Sequence, residues 1–209
     1  MINIKNNINC LFLDKKVLSS KYKILQLNGE ITEETYQTYK NELNELLYYN
    51  PKYIITNVDT CGGCCITTLG VVDMIEAIKK ANKDVIFVTY TNTKLFSAGV
   101  PLFLTGDIRI MSENSLALVH DVSSWSGGKV SDMKEDLKRN EIIKKNIFKY
   151  IDLRTNKNDG FWMNKLKDIM NADLTLEAHE CKEYNICTNI GCVSLNVNLN
   201  VEEKLEIIN

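Results

Sequence analysis

Tyr53-Ile54-Ile55-Thr56-Asn57-Val58 runs without a break into Asp59-Thr60-Cys61-Gly62-Gly63. The first six residues read as a compact buried strand. The two glycines that follow permit positive φ and a close approach of backbone to backbone. Helical spacing takes over from Thr68 to Lys80, with Val71, Val72, Ile75 and Ile78 facing inward. Strand, glycine turn and helix in this order form one α/β unit, and the neighbouring sequence repeats it.

Upstream, Tyr22 to Leu27 alternates as a strand and is expected to stop at the Asn28-Gly29 turn. Thr32 then opens a helix with Tyr36, Tyr39, Leu43, Leu46 and Leu47 on one face. Downstream, Asp84–Tyr90 is a strand, and Leu95–Leu104 is an apolar stretch around Ser97-Ala98-Gly99 that reads as a turn entering a buried helix. Asp107–Met111 and Ser115–Val119 are short strands, the second ending at His120, and Ser123–Gly128 is a polar loop. This alternation argues for an α/β domain with mainly parallel pairing and right-handed crossovers. Ser131 to about Leu153 falls outside the rhythm as a long charged helix that projects. Gly160–Met170 and Leu176–Tyr184 read as shorter helices, and Val193–Val197 as a terminal strand. The expected organisation is an N-terminal segment (1–19), an α/β head (20–128), a projecting helical region (129–170) and a return to the head with a tail (171–209).

Bulk composition narrows the function classes. Lys and Arg number 25 against 27 Asp and Glu, and they are scattered, so the chain is not expected to bind nucleic acid. No run approaches the ~20 apolar residues of a membrane span. The N-terminus has no apolar run of signal-peptide length, which points to a non-exported protein, cytoplasmic or organellar after processing. Seven cysteines include the crowded Cys61-Gly62-Gly63-Cys64-Cys65. They are expected to be reduced and mostly buried, since Cys181, Cys187 and Cys192 supply no second pair to match a zinc site.

Few residues are suited to chemistry. His120 closes an apolar strand, which aims an imidazole out of the sheet edge; the alternative is a core or capping histidine. His179 lies in a charged helical stretch and reads as solvated. Ser97, between a strand and an apolar helix, is placed to expose its hydroxyl at a strand-to-helix turn; the bland alternative is a helix N-cap. Backbone N–H groups of the Cys61-Gly62-Gly63 loop can point at an anion, either a phosphate or an oxyanion, but the run lacks the pattern of a nucleotide-binding loop. Together these describe an acyl-transfer site with nucleophile, base and oxyanion hole. For the carboxylate that orients the histidine, Asp121, Asp132, Asp136, Asp168 and Asp173 all remain open.

The order of these pieces resembles the ClpP family of self-compartmentalising serine peptidases, over roughly residues 20–192, in particular its divergent phage-type members. Lys23 to Ile31 resembles the family's first strand and turn. Asn57 to Gly63, with Gly70 and Asp73 beyond, resembles its Asn-Ser-Pro-Gly-Gly segment, with Cys61 at the proline. Ser97-Ala98-Gly99 through Gly106 resembles the nucleophile helix, and Glu113-Asn114-Ser115 followed by Leu118-Val119-His120 the histidine segment. Asn171-Ala172-Asp173-Leu174, before a helix with Glu180, Cys181, Glu183, Tyr184 and Ile186, resembles the motif that carries the family's aspartate.

The resemblance implies a ClpP/crotonase-like α/β fold of repeated β-β-α-type units with a projecting handle helix. It implies Ser97 as nucleophile, His120 as base and Asp173 as the orienting carboxylate, with the N–H groups of Gly63 and Ala98 as oxyanion hole and no cofactor or metal. It further implies peptide or unfolded-protein substrates, a homo-oligomeric heptameric ring or double ring, and a Clp ATPase unfoldase or a catalytic paralogue as partner. Handle contacts would come from Met133, Leu137, Ile142, Ile143, Ile147, Phe148 and Ile151. Three rival readings stand beside it: a non-catalytic, ClpR-like ring subunit, a crotonase-like acyl-CoA enzyme, and a Ser/Lys peptidase using Lys94.

Overall fold

The computed structural model describes residues 23–197 and 203–208, apart from positions 125 and 171. The expected N-terminal segment 1–19, Tyr22, Cys10 and Asn171 lie outside the described residues. The chain runs β1 (Leu25–Ile31), α1 (Glu33–Leu47), β2 (Tyr53–Gly63), α2 (Cys65–Ala81), β3 (Ile86–Thr91), β4 (Lys94–Phe96), α3 (Gly99–Phe103), β5 (Ile108–Met111) and β6 (Leu116–Val119). It continues with α4 (Val130–Arg154), α5 (Phe161–Asp168), β7 (Leu174–Glu177), α6 (Ala178–Glu183), β8 (Asn189–Ile190), β9 (Cys192–Val197) and β10 (Glu203–Ile208).

Eight strands form one sheet in the order β7-β6-β4-β2-β3-β5-β8, with β1 also on β2. All pairings in it are parallel except β6 with β7. β2 is the hub. Tyr53–Asn57 pair with β3, Thr56–Gly63 with β1, and Thr60 pairs with Leu95 of β4. Ile54, Thr56, Val58 and Thr60 are buried on one face under the helices, and Ile55 is buried on the other with Val88 and Ile110. Burial on both faces explains why the first half of β2 shows no polar alternation, whereas Asn57, Asp59 and Cys61 of the second half alternate with buried residues. β9 and β10 form a separate antiparallel pair.

The strand expected to end at Asn28-Gly29 runs on to Ile31. Gly29 takes φ +73°, and between Asn28–Asp59 and Glu30–Gly62 β2 advances one residue more than β1, so a bulge in β2 accommodates the turn residue and pairing resumes. Thr32 starts α1 as expected: its hydroxyl accepts from Thr35 N–H, and Thr32 N–H donates to Thr35 Oγ1, both at 3.3 Å. The helix expected from Leu176 begins only at Ala178, because Leu174–Glu177 is taken up as β7 alongside β6. Cys181 and Cys187 are buried as expected, whereas Cys61, Cys64 and Cys192 are exposed, so the thiols are not mostly buried. Cys61 lies near the end of β2, Cys64 caps the start of α2, and Cys192 opens β9, all where the chain emerges. No helix among the described residues is long and apolar enough to cross a membrane.

The long helix α4 divides along its length. Ile147, Phe148 and Ile151 are buried in this subunit's own core, so these three positions do not form an outer contact. Met133, Leu137 and Ile142 remain exposed. Where α4 ends, Asp152 is buried and accepts from Gly160 N–H at 2.7 Å and Trp162 N–H at 3.1 Å, which fixes the first turn of α5. Trp162, fully buried, donates its indole N–H to Thr155 Oγ1 at 2.9 Å. Replacing Asp152 by Ala strands two backbone donors in the core. The expected loss is about 2 kcal/mol or more of unfolding free energy in urea. A loss under about 0.5 kcal/mol would place Asp152 among ordinary surface positions.

Candidate active site

Three short strands set the geometry. Phe96 of β4 pairs with Leu118 of β6, and Ser97 N–H donates to Leu118 C=O at 2.9 Å, one further rung of the same ladder. Val119 of β6 pairs with Leu174 of β7 in antiparallel sense. His120 follows Val119 and Asp173 precedes Leu174, each one residue beyond the last pair of that ladder, and Ser97 follows the last residue of β4. Alternation carries His120 onto the outward face shared with Leu116 and Leu118, and Asp173 onto the same face as Thr175 and Glu177. Ser97 and His120 are half-buried, Asp173 is exposed. No hydrogen bond joins the three side chains to one another among the described residues.

Ser97 is not a helix cap. The N-cap of α3 is Ala98, and Ser97 itself has φ +54°, a left-handed backbone uncommon for any residue but glycine or asparagine. Such strain at a strand-to-helix turn lifts a serine hydroxyl out of both elements. The turn is held by Ser97 N–H on Leu118 C=O and by Val100 N–H on Ser97 C=O at 3.1 Å. Between them, Ala98 N–H has no acceptor among the described residues.

The glycine loop packs against this turn. A Cβ on Gly62 would stand 2.7 Å from Ser97 Cβ and 3.1 Å from its Oγ, so only glycine fits there. A Cβ on Gly63 would run into the Ile31 backbone. Cys64 N–H donates to Ile31 C=O at 2.8 Å; alternation along β2 therefore turns Gly63 N–H to the opposite edge, the side of Ser97. Thr60, fully buried, ties loop to turn: its Oγ1 donates to Gly29 C=O and accepts from Gly62 N–H at 2.9 Å. Its methyl fills the space beside Gly99, where a Cβ would lie 2.7 Å away. Sequence reading gave Gly62 only as part of the anion-facing loop, not as the packing partner of Ser97, and gave Thr60 no role of its own. The Gly-Gly pair carried the signal for the first; nothing local distinguished the second.

The other aspartates are committed elsewhere or remote. Asp121 accepts from Lys144 Nζ at 2.6 Å and from Val122 N–H at 2.7 Å. Asp136 accepts from Ser126 Oγ and pairs with Arg139, Asp132 accepts from Ser131, and Asp168 ends α5. Lys94 hydrogen-bonds Asp59 at 3.1 Å, an interaction that raises its pKa and keeps it an ammonium, unsuited to act as base. His179 is exposed and paired with Glu113 Oε1 at 2.7 Å. At the start of α2, hydrogen bonds from the Thr67 side chain and backbone lower the Cys64 pKa, while burial raises that of Cys65. No group of three His, Cys, Asp or Glu side chains among the described residues is arranged to hold a metal ion.

A mixed α/β body on a mostly parallel sheet, with a serine at a strained strand-to-helix turn and a long helix leaving the sheet, is the architecture of the ClpP-like peptidases. The model of the Clp protease family matches residues 13–193, and the chain belongs to that family.

Gly62 and Gly63 separate two functions of the loop. Gly63→Ala meets backbone and is expected to lower the thermal midpoint more than Gly62→Ala, which meets the movable Ser97 side chain. Gly62→Ala is expected to displace the hydroxyl and cut Ser97 reactivity toward a fluorophosphonate by about 100-fold, the scale of a misplacement near 1 Å. Equal midpoints, or an unimpaired Ser97 in Gly62→Ala, would contradict this division.

Proposed function

We propose that this chain is a serine endopeptidase that hydrolyses peptide bonds through Ser97, His120 and Asp173. What supports the reading is the ladder register: Ser97 follows β4, His120 follows β6 and Asp173 precedes β7, at adjoining strand ends beside the glycine loop. Ser97 Oγ attacks the carbonyl carbon while His120 takes its proton. Gly63 and Ala98 N–H groups receive the oxyanion. His120 then gives the proton to the leaving amine, the C–N bond breaks, and water enters by the same route to release the acid product. Asp173 holds the imidazole and stabilises its charged form without becoming protonated. The chemistry calls on no metal or organic cofactor.

In this reading the protein works as a homo-oligomer, a heptameric ring or a stacked pair of rings, on unfolded chains delivered by a Clp ATPase. The head spans 20–128, the handle 129–170, and 171–209 returns to the head. Val130, Met133 and Leu137, spaced three and four apart on α4, are 68%, 44% and 63% exposed and form one apolar stripe suited to a subunit contact.

Intact-mass analysis after fluorophosphonate treatment tests the chemistry. One adduct on Ser97, lost in Ser97→Ala together with an activity fall of about 10³-fold or more, is the expected result. A folded, unlabelled protein would assign the chain to the non-catalytic, ring-shaping subunits instead. For the assembly, Met133→Asp with Leu137→Asp is expected to reduce the sedimentation coefficient while leaving the far-ultraviolet circular dichroism unchanged. An unaltered sedimentation profile would remove the stripe from the interface.

A further inference from the structure

Immediately beyond the Ser97 turn, α3 is only five residues long, too short to hold itself by its own hydrogen bonds. The carbonyls at and just beyond its C-terminus are taken, besides backbone bonds from Thr105 and Gly106 N–H, by side chains, most of them from other elements. Thr105 Oγ1 donates to Leu102 C=O at 2.7 Å, and Thr89 Oγ1 of β3 to Phe103 C=O at 2.6 Å. Arg154 Nε of α4 donates to Leu104 C=O at 2.7 Å, and Lys79 Nζ of α2 to Thr105 C=O at 2.9 Å. Gly106 C=O accepts twice, from Arg154 Nη2 at 2.7 Å and Arg109 Nη1 at 3.1 Å. Burial and then the adjacent Arg154 charge lower the Arg109 pKa, so the carbonyls hold two like charges together.

The three cations differ in their other duties. Lys79 also pairs with Asp107 at 2.5 Å. Arg109, 5% exposed, also donates to Asn185 C=O and Ile186 C=O and ties α6 to β5. Arg154 comes no closer than 4.0 Å to its nearest carboxylate, Glu76, and spends Nε and Nη2 on two carbonyls two residues apart. A planar guanidinium bridging Leu104 and Gly106 fixes the direction of the chain leaving α3. At the other end, Val100 N–H on Ser97 C=O at 3.1 Å joins α3 directly to the Ser97 turn, which Ser97 N–H anchors to Leu118 C=O and which packs against the glycine loop. A rotation of α3 would therefore pass directly to Ser97.

We propose that Arg154 is a positioning residue: from the end of α4 it clamps the C-terminus of α3 and so holds Ser97 in register with His120. This rests on the peptidase reading given above. It adds a dependence of the nucleophile on the seating of the projecting helix, carried by one side chain that touches neither substrate nor the reacting atoms.

The test compares full-length wild type with Arg154→Met, which keeps the aliphatic length and removes the donors, and with Arg154→Lys, which keeps one. In Arg154→Met, kcat on a short peptide ester and the rate constant for fluorophosphonate labelling of Ser97 should both fall by about 10-fold, with KM unchanged, and Arg154→Lys should recover part of the loss. Amide hydrogen exchange should accelerate over 100–106 and remain unchanged in α1. Labelling at the wild-type rate would overturn the proposal, as would faster exchange spread evenly over the whole fold. Failure of the wild type itself to label would instead reject the peptidase reading. The exchange measurement then decides the clamp alone: unchanged exchange over 100–106 would reject it.

Discussion

The hydrogen bond from Ser97 N–H to Leu118 C=O joins the end of β4 to β6 at the point where the chain turns into α3. With it, a three-residue strand and two four-residue strands become a single ladder in fixed register. Strands this short have little stability alone, so the ladder depends on β2, to which β4 attaches through Thr60 and Leu95. A slip of one residue in β6 would carry His120 to the buried face of the sheet.

Close packing protects that register. Ser97 sits on Gly62, Gly99 sits on Thr60, and Gly63 sits on Ile31, each at a separation that leaves no room for a side chain. Every one of these contacts joins segments distant in sequence. The site is thus a product of sheet order: β2, β4, β6 and β7 are neighbours although α2, β3, α3, β5 and two further helices intervene between them. The carbonyls beyond α3 extend the same logic, since side chains from α2, α4 and β5 hold a helix too short to cap itself.

Much of this was open to a reading of residues alone. β2, α2, β3 and α4 declared themselves through apolar runs and helical spacing, and each is long enough to override local ambiguity. Ser97 and His120 were legible because each closes an apolar run at an element boundary. Elements of four residues or fewer were less so. β7 was absorbed into the following helix, because Leu174 to Glu177 becomes a strand only by pairing with β6. β1 was cut short at Asn28-Gly29, since a glycine that can turn the chain can also sit opposite a bulge.

What the amino-acid order settled by itself was the alternation of strand and helix, the apolar faces, and the residue types able to carry acyl-transfer chemistry, because these follow from local periodicity and side-chain character. Local pattern, however, left five aspartates equivalent beside His120, and the resemblance to known peptidases singled out Asp173. Tertiary structure decided surroundings that local pattern does not reach. It engaged Asp121 with Lys144, and it ran β7 antiparallel to β6, with His120 just after the end of β6 and Asp173 just before the start of β7. It also gave Ser97 its left-handed backbone and Gly62 its contact with the serine, because both depend on how strands far apart along the chain are brought side by side.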